Sequence, residues 1–112
     1  MRVPNMKPIV KNIHQAVLRA VKKPYALDMR RYHTCETTHC RAGWVVVLAG
    51  EDGRRLEEIS STLNAATEIY HASSPIPVSG ARFFDTDIEA MADIERCAEE
   101  EAKLDRKREF GI

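Results

Sequence analysis

Cys40-Arg41-Ala42-Gly43-Trp44-Val45-Val46-Val47-Leu48-Ala49-Gly50 is the stretch that decides the fold. By local propensity Val45-Val46-Val47 favours a strand, and a strand needs a partner. The chain offers no convincing one: Ile76-Pro77-Val78 is broken by proline, and Arg82-Phe83-Phe84 is very short. Thr37 or Thr38 can cap a helix, and Gly50 stands where helices end. The stretch therefore reads as a central helix over about residues 39–50, apolar nearly all round and buried on several sides. Ala42, Gly43, Ala49 and Gly50 are small enough to let other helices approach closely. The alternative is an α+β fold with residues 43–49 as a strand.

On the N-terminal side, Pro8 suits a first helical turn, and Ile9, Ile13, Val17 and Val21 recur every four residues, with Val10 and Leu18 beside them. This predicts an amphipathic helix to about Lys23, stopped by Pro24, with His14 at its boundary. Residues 24–37 have no period and read as an ordered loop or short helical turn. On the C-terminal side, Glu51-Asp52-Gly53 reads as a turn. Leu56, Ile59, Leu63, Ala66 and Tyr70 then share one face of a helix to about Ala72, bent near Ser60-Ser61. Ser73 to Gly80 is a proline-limited loop. Thr86-Asp87-Ile88-Glu89 is a capping box, with Phe84 as a candidate staple. It opens a long helix whose inner stripe reads Ile88, Met91, Ile94, Cys97, Ala98 and Leu104. The predicted fold is all-α, a compact bundle of about four helices around the buried one.

A chain of 112 residues, 44% apolar and 30% charged, is that of one ordinary globular domain, 1–112, with 1–7 and 106–112 expected to fray. No apolar run approaches the roughly 18 residues of a membrane span. Met1 to Pro8 lacks the apolar centre of a signal peptide, and three cysteines fit a reducing compartment. These point to a cytoplasmic location. Net charge is zero but uneven. Residues 1–31 hold eight basic side chains against Asp28 alone, and the remainder has nine basic and sixteen acidic. Either the N-terminal segment lies against the acidic last helix, or Lys22, Lys23, Arg30 and Arg31 form a nucleic-acid face. The neutral balance and lack of interleaved aromatics disfavour the latter.

The chemistry lies in His33-Thr34-Cys35-Glu36-Thr37-Thr38-His39-Cys40-Arg41. His33, Cys35, His39 and Cys40 are four zinc-competent ligands, but a metal would have to be wrapped by one tight loop, and His39 and Cys40 on a helix point about 100° apart. Cys97 or His71 could complete such a site from another helix. Cys40 in the first turn of a buried helix is a candidate catalytic thiol for a cysteine hydrolase, lacking a well-placed partner histidine. The structural reading stacks Cys40 on Trp44, treats Cys35 and Cys97 as small buried hydrophobes, and accounts least well for Arg41. Arg41 would pair with Glu36, with an acid of the last helix, or with an anion from outside. A Cys35–Cys40 disulfide is geometrically possible but disfavoured by a reducing compartment.

The motif Cys35-x-Thr37-x-x-Cys40-x-Ala42-Gly43-Trp44, followed by Leu48-Ala49-Gly50-Glu51, resembles the signature of a group of short proteins of bacteria and their phages. The similarity extends from Asn12-Ile13-His14-Gln15 to Arg82-Phe83-Phe84-Asp85 and into the last helix. The resemblance implies a small intracellular prokaryotic or phage-encoded protein and transfers no activity, cofactor or site residue. The resulting expectation is a non-enzymatic protein that works by binding another protein, with no cofactor and no membrane. The polar turn 33–41 and Arg41, Lys22, Lys23, Arg30 and Arg31 are its candidate contacts. The oligomeric state stays open.

Overall fold

The computed structural model describes residues 7–111; the expected fraying of the first residues falls largely outside that range, as does Ile112. Helices dominate. In chain order they are α1 (Ile13–Val21), α2 (Arg41–Leu48), α3 (Gly50–Ile59), α4 (Thr62–Ser73) and α5 (Asp87–Phe110). A hairpin of β1 (His33–Cys35) and β2 (Thr38–His39) precedes α2, and a 3-10 turn (Gly80–Phe84) precedes α5.

The valine run is helical. Six of the eight residues of α2, Arg41 through Val46, are buried, and α2 packs against α1, α3 and α4. A strand at this position would present backbone donors that no neighbouring strand could satisfy, whereas a helix satisfies them internally. Its cap is neither Thr37 nor Thr38 but Cys40, whose Sγ accepts from the Gly43 N–H at 3.3 Å. The two threonines belong to the hairpin, which the sequence reading did not anticipate. Gly43 lets the helix touch the preceding loop: a Cβ there would stand 2.0 Å from the Tyr32 carbonyl oxygen. Gly50 has a different role from close approach. Its φ of +69° turns the chain directly from α2 into α3, so Glu51-Asp52-Gly53 forms the first turn of a helix rather than a loop.

Four expected helices become five because the third divides in two. Ser60 leaves helical geometry (φ −131°, ψ −94°), and Ser61 caps α4 by accepting from the Asn64 N–H at 3.1 Å. Ile59, expected to face inward, is thereby turned out and is 72% exposed.

The first helix starts five residues later than Pro8. Asn12 lies in the left-handed region (φ +54°) and offers no side-chain cap. The cap comes from across the molecule: Glu101 of α5 accepts from the backbone N–H groups of His14 (3.3 Å) and Gln15 (2.9 Å). A carboxylate at this end also suits the helix dipole. The N-terminal segment does lie against the last helix, through Gln15, which donates to Glu101 and Asp105, rather than through its lysines and arginines. His14 is core, not boundary, at 1% exposed and stacked on Tyr70 with ring centroids 5.1 Å apart. The α5 capping box forms as read, with Thr86 and Glu89 bonding reciprocally.

Candidate functional site

The Cys/His motif folds into the hairpin and the start of α2. His39 pairs with His33 across the strands and Cys35 with Thr38. The backbone of His39 is also stitched to the preceding loop, its N–H donating to the Ala26 carbonyl and its carbonyl accepting from Asp28. A hydrogen-bonded chain of side chains runs from there to α3. His39 Nε2 meets the Glu36 carbonyl at 2.9 Å, His33 Nδ1 meets His39 Nδ1 at 2.7 Å, and His33 Nε2 meets Glu57 Oε2 at 2.7 Å. Thr62 Oγ1 donates to the same Glu57 oxygen at 2.7 Å.

Donor arithmetic orders this chain. A carbonyl only accepts, so His39 donates from Nε2 and a neutral His39 ring accepts at Nδ1. His33 then donates from Nδ1, and its Nε2 faces the Glu57 carboxyl. The two rings thus clasp the hairpin to α3. His39 also meets Trp44 edge-on, with centroids 4.7 Å apart, and Trp44 Nε1 donates to the Ala26 carbonyl at 2.7 Å.

The zinc set is not assembled. Among the described residues no group of three or more His, Cys, Asp or Glu side chains is arranged to hold a metal ion. Cys40 is buried and caps its helix, while the His33 and His39 nitrogens bond to each other. Cys97, a possible completing ligand, is buried beside Arg41 and Arg96. All three cysteines are free thiols.

The catalytic candidate fares no better. Burial pushes the Cys40 thiol above its ordinary range, against the opposing pull of the Gly43 and Ala42 N–H groups. Cys35, expected to be a buried hydrophobe, is the reverse case. It is exposed at the hairpin, and hydrogen bonds from Thr38 and Thr37 lower its pKa to about 7. With His33, His39, Glu36, Arg54 and Glu57 it lines an open cleft of about 820 Å³.

Arg41 is placed where an outside anion does not reach, at 0% exposed. It pairs with an acid of the last helix: Nη1 lies 2.7 Å from Asp93 Oδ2, and Nε donates to Tyr70 Oη at 3.0 Å. Burial disfavours its charge, but Tyr70 and Asp93 more than restore it. Asp93 also receives Arg96 (2.8 Å) and Arg82 (3.5 Å). Burial alone would raise the Asp93 pKa, yet the bonds from Arg41 and Arg96 hold it below the ordinary carboxylate range.

Lys22, Lys23, Arg30 and Arg31 are exposed at the end of α1 and in the loop beyond it. Arg30 is already paired with Asp28 at 3.0 Å. Lys23 and Arg30 border two adjoining hollows that share Asp87 and Ile88, with Asp85 and Glu95 on the same rims. The charge there is mixed, not uniformly basic.

Those hollows carry what the sequence reading missed. Tyr25 is 91% exposed, Ile88 84% and Phe84 76%, with Leu27, Met29 and Met91 half-buried between them. Ile88 was expected in the inner stripe and Phe84 as a staple; both instead face solvent. The signal was in the spacing. Steps of three residues drift by about 60° on an α-helix, so Ile88 lies about 120° round from Ile94. Tyr25 sits in the left-handed region (φ +60°), a conformation that costs a non-glycine residue about 1–2 kcal/mol. It is held there by Thr38, which donates to the Tyr25 carbonyl at 2.8 Å, and Asp87 ties the loop to α5 by accepting from the Met29 N–H at 2.7 Å.

No helix of the described residues is long and apolar enough to cross a membrane. Comparison with protein-family models, with curated proteins and with solved structures finds no match.

Proposed function

We propose that this is a non-enzymatic, cytoplasmic binding protein, serving an accessory role in a bacterium or its phage, which docks another protein on the face formed by Tyr25, Phe84 and Ile88. One observation carries the reading: three large apolar side chains, each at least three-quarters exposed, cluster around two joined hollows. Large exposed apolar side chains scattered singly need no explanation, but a rimmed cluster of them marks a contact surface. The strained backbone at Tyr25 points the same way, since such strain persists only where the surroundings enforce it, and it often accompanies function. The contact is thereby moved from the polar turn 33–41, whose histidines and Cys40 are engaged in holding the hairpin and α2, to the loop before that turn and the N-terminal end of α5.

A random peptide library selected against the purified full chain tests this. Selected peptides should bind the wild type and lose at least tenfold in affinity for Ile88→Asp and Phe84→Ser, while His33→Ala leaves binding unchanged. Failure to select binders, or binders indifferent to Ile88→Asp, would overturn the reading.

A further inference from the structure

We infer, independently of the docking reading, that the hairpin is a pH-sensitive clasp: His39, His33 and Glu57 close it onto α3 only while they hold one proton more than neutral imidazoles and an ionised carboxylate supply. Three contacts run in series: the Glu36 carbonyl with His39 Nε2 (2.9 Å), His39 Nδ1 with His33 Nδ1 (2.7 Å), and His33 Nε2 with Glu57 Oε2 (2.7 Å). Each is short enough to need a hydrogen between its two atoms. The carbonyl and an ionised carboxylate bring none, and each neutral imidazole brings one. Two hydrogens cannot complete three contacts. The third belongs to the coupled groups as a set, whichever atom holds it. The Thr62 hydroxyl donates to the same Glu57 oxygen and adds nothing between the rings. A metal ion does not take the place of the hydrogen either. Tetrahedral zinc, with bonds of about 2.0–2.1 Å, would hold the two nitrogens roughly 3.3 Å apart.

The surroundings suit an added proton. Charged groups lining the cleft beside the rings are Glu36 on the hairpin turn and Glu51, Arg54, Glu57 and Glu58 on α3. Into the same space α2 sends only Val46 and Val47, and α4 offers the Thr62 hydroxyl to Glu57. Four carboxylates against one guanidinium leave the cleft negative. Cys35 is the remaining titratable group there.

The clasp matters to the hairpin because β1 buries none of its three side chains. Its hold on α3 therefore rests on the polar contact through His33. His39 is anchored separately, by its backbone bonds to Ala26 and Asp28. Loss of the proton thus frees β1 and widens the cleft of about 820 Å³, while the loop that carries Tyr25 stays in place.

The direction follows from linkage. Free imidazole titrates near pH 6.5, so above that pH the open form lacks the proton that the closed form holds. Each unit rise in pH then weakens closure tenfold. His14 acts in the opposite sense, on the acid side, because its burial excludes a proton.

Nuclear magnetic resonance of the isotope-labelled full chain reads both halves of the claim. At about pH 5.5, a nitrogen–nitrogen coupling across the hydrogen bond should join His33 Nδ1 to His39 Nδ1, and the His33 ring should show Overhauser contacts to the Glu57 side chain. By about pH 9 the contacts to Glu57 should be lost. Glu57→Gln is the decisive variant. A carboxamide nitrogen carries two hydrogens, one for His33 Nε2 and one for the Thr62 oxygen, so the chain closes with neutral rings. Its contacts to His33 should persist at the alkaline end. Cys35→Ser should titrate like the wild type, which separates the clasp from a thiol whose own pKa is about 7. Absence of the coupling at the acid end, or wild-type contacts that survive the whole titration, would overturn the inference. So would a Glu57→Gln variant that opens in step with the wild type, or a Cys35→Ser hairpin that no longer responds to pH.

Discussion

Arg41 is fully enclosed and charged, which is tolerable because Asp93 and Tyr70 take up its donors on the side facing α4 and α5. Its pairing with an acid of the last helix was among the readings its sequence position allowed. What sequence could not show is that Asp93 would also gather Arg82 and Arg96. His14 is the opposite case: 1% exposed, with neither ring nitrogen hydrogen-bonded. Burial lowers its pKa, opposed by the Glu101 carboxylate and reinforced by Arg41. The folded chain thus resists a proton that the unfolded chain accepts near 6.5. Stability from this group is intact above that pH and is lost as the pH falls below it, by up to about 1.4 kcal/mol per pH unit. Urea titrations at pH 7, 6 and 5 should show that slope in the wild type and a shallower one in His14→Phe; parallel slopes would refute the assignment. The thiols divide as plainly. Iodoacetamide at neutral pH should modify Cys35 well before Cys40 and Cys97, the reverse of what a catalytic Cys40 requires, and mass spectrometry of partially alkylated protein ranks the three. Faster reaction at Cys40 would contradict the structure.

At the scale of elements, α2 was legible because its valines had no strand to pair with and its flanks offered helix ends. The flanking detail was not legible. A cysteine as cap, a hairpin of five strand residues and a left-handed Gly50 all depend on tertiary contacts that local propensity does not encode. The same holds for α1, whose cap is Glu101, 86 or 87 residues away in sequence. The junction of hairpin and α2 is the least forgiving point. Gly43→Ala would drive a methyl into the Tyr32 carbonyl, a backbone atom that cannot move alone. The expected result is a loss of several kcal/mol, beyond the roughly 0.5–3 kcal/mol of ordinary substitutions, or failure to fold. Gly80→Ala, where nothing lies within 4 Å, is the matched control and should denature like the wild type. Equal midpoints for the two variants would mean that α2 does not lie against the loop as described.

At the scale of the whole molecule, the histidines and Cys40 of the motif that dominates the sequence are engaged in holding the hairpin and α2, and the contact face we propose is assembled from the loop before it and the start of α5. Sequence reading placed function at the Cys/His turn because unusual residues are conspicuous there. Ile88 and Tyr25 are ordinary residues whose meaning appears only when the fold sets them side by side. The central claim is that Ile88 serves a partner and not the core of its own chain. Its most direct test is equilibrium denaturation of Ile88→Asp at submicromolar concentration. The account predicts a midpoint within about 0.5 kcal/mol of the wild type, as for a surface site. A loss above about 2 kcal/mol, the range of a truncated core aliphatic, would contradict it.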